Sequence, residues 1–211
     1  MIKTFACGLL DTNTYIVHDE STGVGMIVDC GTDPALLLGY ITENRIKIKY
    51  VVLTHGHFDH ADYVEDYACL FPDADLVCHC DEKAVLYDTE ANLSFWGKRP
   101  RAYDCAYTYV KEGDTLCLCD KGKGDTECMI FTVLHTPGHT PGCICLYDEK
   151  NKIMFTGDTL FKRSYGRTDF KYGNSALLYN SLRRLYSMDK DITFYPGHYA
   201  SSTIGEEVTA Y

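Results

Sequence analysis

Apolar and polar positions in the first part of the chain predict a pair of strands followed by a helix. The β-rich runs at 14–17 and 25–29 flank the turn-forming residues 20–23, which indicates a β-hairpin. A helix is predicted next, because Asp33 is a suitable N-cap and Pro34 suits the first helical position. The apolar stripe of this helix is predicted to consist of Leu36, Leu37, Tyr40 and Ile41.

The later apolar runs continue this mixture of strands and helices. Residues 1–11 read as a first strand, and the polar, glycine-rich segment 120–125 reads as an exposed hairpin tip. The loop 92–101 has no periodicity and carries the single tryptophan with three cations, so it is either a lid over an anionic substrate or an exposed connection. Further strands are predicted at 49–53, 76–78, 115–119, 129–134, 143–147, 153–156 and 192–195, and further helices at about 60–70, at 81–87 and from 174, the last with Leu177, Leu178, Leu182 and Leu185 on one side.

Strand-rich halves that are each accompanied by helices predict two sheets packed face to face with helices outside. This arrangement is a four-layer αββα sandwich of the α/β class. The chain has 211 residues, of which 45% are hydrophobic, and this is enough for one domain that covers residues 1–211.

Metal-ligand side chains are concentrated in one stretch, Thr54-His55-Gly56-His57-Phe58-Asp59-His60, directly after an apolar run. At a strand end, side chains two positions apart point to the same side, which lets His55 and His57 bind one ion. The helical period that follows directs Asp59 and His60 to a neighbouring point. The spacing therefore predicts two adjacent metal sites, whose imidazole and carboxylate ligands suit zinc, iron or manganese.

The motif His55-x-His57-x-Asp59-His60 resembles the signature of the metallo-β-lactamase superfamily. Four later segments fall where that family has its other motifs, at 136–142, 155–161, 166–169 and 195–198. The strongest likeness is to the glyoxalase II branch, which hydrolyses hydroxyacylglutathione thioesters, and in particular to its short single-domain relatives. The resemblance implies the same αββα sandwich, with the ligand loops along one rim.

The resemblance also implies a complete set of ligands for two divalent ions, for which zinc is the first choice. The seven implied ligands are His55, His57 and His139 for the first ion, Asp59, His60 and His198 for the second, and Asp158 as the bridge. Asp59 and Asp158 are the candidate catalytic residues, because Asp59 would also orient a bridging hydroxide. With two such ions, the cleft would keep a positive charge that favours hydrolysis. The histidines outside this set are expected to be ordinary strand or loop residues, and a hydrogen bond from His135 to a ligand is the alternative for that residue; they are His18, His79 and His135.

Two residues after the bridging aspartate are candidates for substrate binding. In glyoxalase II-like proteins, a basic residue at the step that corresponds to Arg167 binds a substrate carboxylate, and a guanidinium suits this by its two-pronged geometry. The alternative is a structural pair of Arg167 with Asp169. Tyr165 is the second candidate. The few residues after His198 leave no place for the helical segment that holds glutathione in full-length glyoxalase II, so a small anionic acyl thioester or ester is the expected substrate.

Two other functions stay open at this stage. An iron-dependent persulfide dioxygenase resembles glyoxalase II but uses one iron held by two histidines and an aspartate. A non-catalytic or electron-transfer diiron module would carry a glutamate in place of the second histidine and would be joined to a flavin domain. The complete second set of ligands favours two metals, and His57 argues against the diiron module.

Charge and cysteine usage narrow the class of partner. The net charge of −10 and the pI near 5.2 argue against nucleic acid as a partner, because phosphate binding needs a concentrated basic face. The N-terminal residues lack the features of a signal peptide or membrane span, so a cytoplasmic protein without a membrane partner is expected. The eleven cysteines include no C-x-x-C and favour reduced, buried thiols, and no pattern predicts the oligomeric state.

Overall fold

The structure is a computed structural model that describes residues 1–8, 10–97, 99–119 and 128–209. The predicted hairpin tip at 120–125 lies outside this part of the chain, as does Lys98 of the loop 92–101. Within it, the chain forms two six-stranded sheets and one two-stranded sheet.

The first sheet is mixed, and its parallel part leads to the ligand motif. Its strands are, in pairing order, β1 (Ile2–Cys7), β2 (Thr12–His18), β3 (Val24–Val28), β4 (Lys47–Val52), β5 (Asp75–His79) and β6 (Thr108–Val110). The first three strands pair antiparallel, which confirms the predicted hairpin, and β3 to β6 run parallel. The carboxyl ends of these parallel strands therefore meet at one edge, which is where ligands bind in open α/β sheets.

The second sheet is mostly antiparallel. The strands of this half are β7 (Thr115–Cys117), β8 (Ile130–His135), β9 (Ile144–Asp148), β10 (Ile153–Gly157), β11 (Leu160–Phe161), β12 (Ser164–Tyr165), β13 (Thr193–Pro196) and β14 (Ser202–Thr203). The sheet order is β14-β13-β10-β9-β8-β7, and within this sheet β10 and β13 are the one parallel pair among the described residues. The short strands β11 and β12 form a hairpin of their own beside the ligand cluster.

The helices are α1 (Ala35–Glu43), α2 (Phe58–Ala61), α3 (Val64–Leu70), α4 (Lys83–Leu86), α5 (Ser175–Tyr186) and α6 (Ile204–Thr209), with 3₁₀ turns at Cys80–Glu82 and Ser94–Trp96. The side chain of Asn174 caps α5 by accepting hydrogen bonds from the N–H groups of Ala176 and Leu177, at 3.0 and 3.1 Å. The buried leucines of α5 are Leu178, Leu182 and Leu185, whereas Leu177 is exposed, contrary to the prediction. None of the helices in the described residues has the length and apolar character needed to cross a bilayer.

Three apolar clusters give the molecule four layers. The central cluster joins the sheets through residues such as Val52 of β4 and Phe155 of β10. A second cluster joins the outer face of the first sheet to α1, α2 and α3, and it contains Val51. A third joins the second sheet to α5 and α6. Val51 and Val52 enter different clusters because successive side chains of a strand point to opposite faces. The predicted αββα sandwich is thus confirmed.

The helix predicted at about 60–70 is interrupted. The His60 carbonyl accepts a hydrogen bond from the N–H of Cys30 at 2.6 Å, and the N–H of Tyr63 donates to the Cys30 carbonyl at 3.1 Å. These bonds to the segment after β3 replace intrahelical bonds, so the chain forms α2 and α3 instead of one helix. The apolar stripe of α1 is also narrower than predicted, because Leu36 is 58% exposed.

All eleven cysteines are free thiols, as predicted. Cys143 and Cys145 are buried, which agrees with their expected role as small apolar residues. Cys80 is exposed, unlike its neighbour Cys78, because β5 ends at His79 and the chain turns outward there.

Candidate metal centre

Three imidazole nitrogens from two loops face one another at one end of the ligand cluster. His55 and His57 follow β4, and His139 lies between β8 and β9. Nε2 of His55 lies 3.1 Å from Nδ1 of His57, which lies 2.9 Å from Nε2 of His139. All three side chains are buried. Nitrogens at these separations can bind one divalent ion together, so the structure brings the first predicted ligand set together.

A second set of three atoms lies beside the first. Asp59 and His60 are in α2, and His198 follows β13. Oδ2 of Asp59 lies 3.5 Å from Nε2 of His60 and 3.2 Å from Nε2 of His198. The two imidazole Nε2 atoms are 3.3 Å apart. These atoms can hold a second ion.

Asp158 lies between the two sets. Its Oδ2 is 3.5 Å from Nε2 of His139 in the first set and 3.5 Å from Nε2 of His198 in the second. Its Oδ1 is 3.3 Å from Nε2 of His60. One carboxylate therefore reaches ligands of both sets, as expected for a bridge between two ions.

The approach of His198 to the cluster depends on Gly197. A Cβ atom at this position would collide with Oδ1 of Asp158 and with the ring of His60. Only glycine lets the backbone pass so close to these two ligands. This explains why the segment 195–198 carries a glycine directly before the ligand.

Hydrogen bonds at the outer nitrogens orient four of the five histidines. These bonds join His55 Nδ1 to Thr54 Oγ1 at 3.2 Å, His60 Nδ1 to Asp29 Oδ2 at 2.8 Å, His139 Nδ1 to the Arg167 carbonyl at 2.7 Å, and His198 Nδ1 to the Leu10 carbonyl at 3.2 Å. Because a carbonyl can only accept, the proton of the neutral ring lies on Nδ1 in His139 and His198, which leaves Nε2 to bind a metal. Nε2 of His57 differs, since it is buried without a hydrogen-bond partner in the described residues.

Burial lowers the pKa values of His55, His57 and His139. The charged form of an imidazole is disfavoured where water is excluded, so these three side chains are neutral at neutral pH. A neutral imidazole is the form that binds a metal ion. The first set is therefore ready to act as a ligand set without the loss of protons.

The second set has the opposite electrostatics. Burial by itself would lower the pKa values of His60 and His198, but the carboxylates of Asp158 and Asp59 outweigh it, and they raise that of His198 to about 9. Burial would raise the pKa of Asp59, but His60 and His198 hold it at about 2. The attraction of His60 likewise holds the pKa of Asp158 below its ordinary value in spite of burial. Without metal, the protonated rings of His60 and His198 balance the ionised carboxylates, and a metal ion would replace their protons.

The donors present fit a pair of divalent ions. Oδ1 of Asp158 is buried and makes no hydrogen bond among the described residues, although Nε2 of His60 lies 3.3 Å away. Such an atom is costly in a protein interior unless a cation or a donor satisfies it. Five imidazoles and two carboxylates without a thiolate form a set that zinc, iron and manganese accept.

Glu82 connects the two loops of the first set and was missed in the sequence. Its Oε1 accepts a hydrogen bond from the N–H of Gly56 at 2.7 Å. Its Oε2 accepts from the Thr140 hydroxyl at 2.8 Å and from the N–H of Gly142 at 2.7 Å. The side chain is fully buried, and burial raises the pKa of Glu82 to about 7. In the sequence, only an ordinary run of charged residues marks this position.

Arg167 lies beside the cluster, with its side chain paired to an acid. Nε and Nη2 of Arg167 donate to the two carboxylate oxygens of Asp169, each at 2.6 Å, and the guanidinium lies 4.1 Å from the ring centre of Phe170. This is the structural pair named above as the alternative, and substrate binding by Arg167 stays a prediction. Tyr165 is exposed and lines a cavity of about 650 Å³ along α5.

His135 and the loop 92–101 are placed by contacts of their own. Nε2 of His135 bonds to the carbonyl of Pro141 at 2.8 Å, and its ring stacks on that of His79 with 3.9 Å between centroids. Among the described residues, His135 thus has no hydrogen bond to a metal ligand, so it is the ordinary residue that was expected and not the alternative partner. Arg101 pairs with Asp62 and Glu65, which anchors the end of the loop 92–101 to the helical layer.

Comparisons with known proteins agree with this geometry. The family model of the metallo-beta-lactamase superfamily matches residues 7–198. The chain is 36% identical over 212 residues to an uncharacterized protein of Aquifex aeolicus, and the aligned region covers 98% of this chain and 93% of that protein. It is 31% identical over 205 residues to the hydroxyacylglutathione hydrolase GloC of Haemophilus influenzae, and the aligned region covers 92% of this chain and 89% of that protein.

Solved structures share the whole fold. The crystal structure of the B3 metallo-beta-lactamase BLEG-1 superposes with a TM-score of 0.86 at 28% identity, and the match covers 99% of this chain and 97% of that one. The protein TTHA1623, solved in a di-iron-bound form, superposes with a TM-score of 0.83 at 27% identity and covers 99% of this chain and 98% of its own.

Proposed function

The chain belongs to the metallo-beta-lactamase superfamily of metal-dependent hydrolases, and we propose that it hydrolyses small acyl thioesters or esters at a centre of two divalent ions. The observation that carries this proposal is the position of Asp158. Its Oδ2 lies at the same distance, 3.5 Å, from a histidine of each ligand set. A single carboxylate in that place is suited to join two ions rather than to complete one site.

The residues around the centre hold and orient the reacting groups. Two ions bound by these ligands would supply a water of pKa about 7 and a Lewis acid that polarises the substrate carbonyl. We assign to Asp59 the role of orienting the nucleophile, because the Thr12 hydroxyl holds its ionised carboxylate in place with a hydrogen bond of 2.9 Å. The burial of the first ligand set excludes bulk water from the side of His55 and His57.

The thioester preference and the metal rest on different observations. The likeness to the hydroxyacylglutathione hydrolase GloC, which extends over 89% of that protein, supports an acyl thioester as substrate. Zinc remains the first choice of metal, since imidazole and carboxylate ligands suit it. The likeness to TTHA1623 in its di-iron-bound form supports iron as the second choice.

The two other functions fit the cluster less well. A persulfide dioxygenase with a single iron needs two histidines and an aspartate, and such a site would leave the other set of ligands unused. An electron-transfer diiron module would carry a glutamate at the second histidine. Here, Nδ1 of His57 lies within 3.1 Å of the facing nitrogens of both His55 and His139.

The test is a substrate panel assayed with metal-replete protein. The panel contains a hydroxyacylglutathione, a short acyl thioester, an ester, a β-lactam and a phosphodiester. We expect turnover of the first three compounds, its loss after chelation and in Asp158→Ala, and its return when zinc, iron or manganese is added to the native protein. Protein with two bound ions that leaves all thioesters and esters intact would refute the proposal. Oxygen uptake with a persulfide would then favour the dioxygenase.

A further inference from the structure

Three aromatic side chains from two loops line a cavity close to the ligand cluster. Phe95 and Trp96 lie in the 3₁₀ turn after α4, and Phe170 lies between β12 and α5. The rings of Trp96 and Phe170 meet edge to face, with 5.6 Å between centroids. We call these three residues the aromatic wall. The cavity that they line with Leu93 has a volume of about 450 Å³, which is in the range of small-molecule sites.

The aromatic wall adjoins the first ligand set. The ring of Phe170 lies 5.8 Å from the ring of His57, with an angle of 86° between their planes. The main chain that precedes Phe95 and Trp96 also contacts the ligand motif, because the N–H of Phe58 donates a hydrogen bond to the Asn92 carbonyl at 2.7 Å. A substrate whose carbonyl lies at the metal centre would therefore place a neighbouring group within reach of the wall.

Two of the three aromatic side chains lack apolar cover. Phe95 is 68% exposed and Trp96 is 66% exposed. Adjacent large apolar side chains that remain exposed are typical of binding surfaces, because covering them removes apolar area from water. Aromatic rings also favour edge-to-face and offset stacking with other rings, which gives such a surface a preference for aromatic ligands.

Two cations that the structure describes beside the cavity, Lys171 and Arg167, are bound to acids. Nζ of Lys171 lies 2.7 Å from Oδ2 of Asp88 and 2.9 Å from Oε2 of Glu90. Arg167 is paired with Asp169. The Lys171 pairs also join the segment that precedes Phe95 and Trp96 to the loop that carries Phe170, which keeps the two sides of the cavity together. A substrate carboxylate would have to displace these acids, whereas an apolar group finds the largely exposed rings of Phe95 and Trp96.

We propose that the aromatic wall binds an aromatic or other bulky apolar group next to the scissile bond of the substrate. This inference rests on the proposed acyl hydrolase function and adds a substrate class to it. The larger cavity along α5 is the competing site, and it is lined by residues such as Leu178 and Tyr179. It has no lining residue in common with the ligand cluster or the wall, so Tyr179→Ala, which removes a ring that is 67% exposed, is a matched control.

A binding test follows from the single tryptophan of the chain, Trp96. In metal-replete protein, phenylacetate should saturably shift the Trp96 emission to shorter wavelength, and acetate at the same concentration should not. Phe95→Ala, whose side chain does not touch the cluster, should weaken the phenylacetate response by about tenfold, and Tyr179→Ala should leave it unchanged. No response to phenylacetate, or a response lost in Tyr179→Ala instead, would overturn the inference.

A kinetic test uses two pairs of thioesters. One pair is the phenylacetyl and acetyl esters of the same thiol, and the other is the acetyl esters of benzyl and methyl mercaptan. In at least one pair, kcat/KM should be about tenfold higher for the compound with the ring, and this ratio should approach one in Trp96→Ala but persist in Tyr179→Ala. A ratio near one in both pairs overturns the inference but leaves the hydrolase proposal standing.

The two failures are distinguishable. In one case no thioester is hydrolysed, but phenylacetate still shifts the Trp96 emission and Phe95→Ala weakens that shift. The hydrolase proposal then fails, while the binding site at the aromatic wall stands. If Trp96→Ala instead changes the sedimentation of the protein and leaves the substrate ratio intact, the wall is an interface between copies and the inference is wrong.

Discussion

The carboxylate of Asp29 lies 2.8 Å from Nδ1 of His60, on the side of the ring that faces away from the second ligand set. The same carboxylate accepts hydrogen bonds from the N–H of Thr54 at 2.8 Å and from its hydroxyl at 2.9 Å. The Thr54 hydroxyl in turn lies 3.2 Å from Nδ1 of His55. Asp29 therefore orients one ligand of each set.

Replacement of Asp29 by Asn should weaken metal binding more than it weakens the fold. Asn tolerates the backbone conformation of residue 29, whose φ is +64°, but it offers one fewer acceptor to Thr54 and His60. We expect metal affinity to fall by about 10- to 100-fold. Competition with a chelating dye measures this loss.

Asp19→Asn is the matched control, because Asp19 is also buried and accepts hydrogen bonds only outside the cluster, from residues such as Met129. It should reduce stability but leave metal affinity unchanged. If Asp29→Asn binds metal as tightly as the native protein, Asp29 has no part in orienting the ligands.

The protein as purified with ample metal should hold two ions per chain. His55→Ala and His198→Ala should each lose mainly one ion, because their nitrogens belong to different ligand sets. Asp158→Ala should weaken both sites, since its Oδ2 is 3.5 Å from a histidine of each. Its melting temperature should fall as well, because bound metal stabilises only the folded state. Elemental analysis measures the number of bound ions per chain in the native protein and the variants. A single ion whose binding is unchanged in His198→Ala would contradict a binuclear centre.

The metal-free protein should lose stability as the pH rises from about 4.5 to about 7 because of Glu82. Burial raises the pKa of Glu82 from its ordinary 4.5 to about 7. In that interval, the folded protein keeps a proton that the unfolded chain has released, so a rise in pH favours unfolding. The contribution is about 3 kcal/mol over the interval.

Glu82→Gln does not titrate and therefore serves as the reference. The difference in unfolding free energy between native protein and variant, measured with urea at several pH values, should change across this interval. A difference that stays constant would mean that the hydrogen bonds from Gly56, Thr140 and Gly142 keep Glu82 ionised throughout.

The fold and the ligand cluster were largely readable from the sequence, since both depend on local patterns. Apolar runs marked the central strands, and three histidines with an aspartate within six positions marked the cluster. Short edge elements such as β6, β12 and β14 were missed, because two or three residues carry too little periodicity.

The groups that orient the ligands were missed for a different reason. Asp29 acts on His60 because β3 lies beside β4 in the sheet, and Glu82 acts on Gly142 because the two sheets meet at one rim. Both relationships arise only when distant segments are brought together. Neither aspartate nor glutamate at these positions stands out along the chain.

Arg167 provides a test in which two interpretations predict different patterns of loss for an anionic and a neutral substrate. The structure commits its guanidinium to Asp169 and stacks it on Phe170, and its carbonyl holds Nδ1 of His139. On that basis, Arg167→Met should lower kcat/KM by the same factor for an anionic thioester and a neutral one of equal size. The resemblance to glyoxalase II predicts instead a rise in KM of about tenfold for the anionic compound alone.

Asp169→Asn separates the two interpretations further, because it releases the guanidinium without removing it. If Arg167 supports the loop, Asp169→Asn should reduce the turnover of both thioesters, as Arg167→Met does, since either change breaks the same bidentate pair. If Arg167 binds the substrate carboxylate, Asp169→Asn removes a competing anion and should lower KM for the anionic thioester. We expect the first result, because the pair is short at both oxygens and the Phe170 ring holds the guanidinium in place. Steady-state kinetics with the two thioesters on both variants measures whether KM for the anionic thioester falls in Asp169→Asn and whether the turnover of both compounds is reduced.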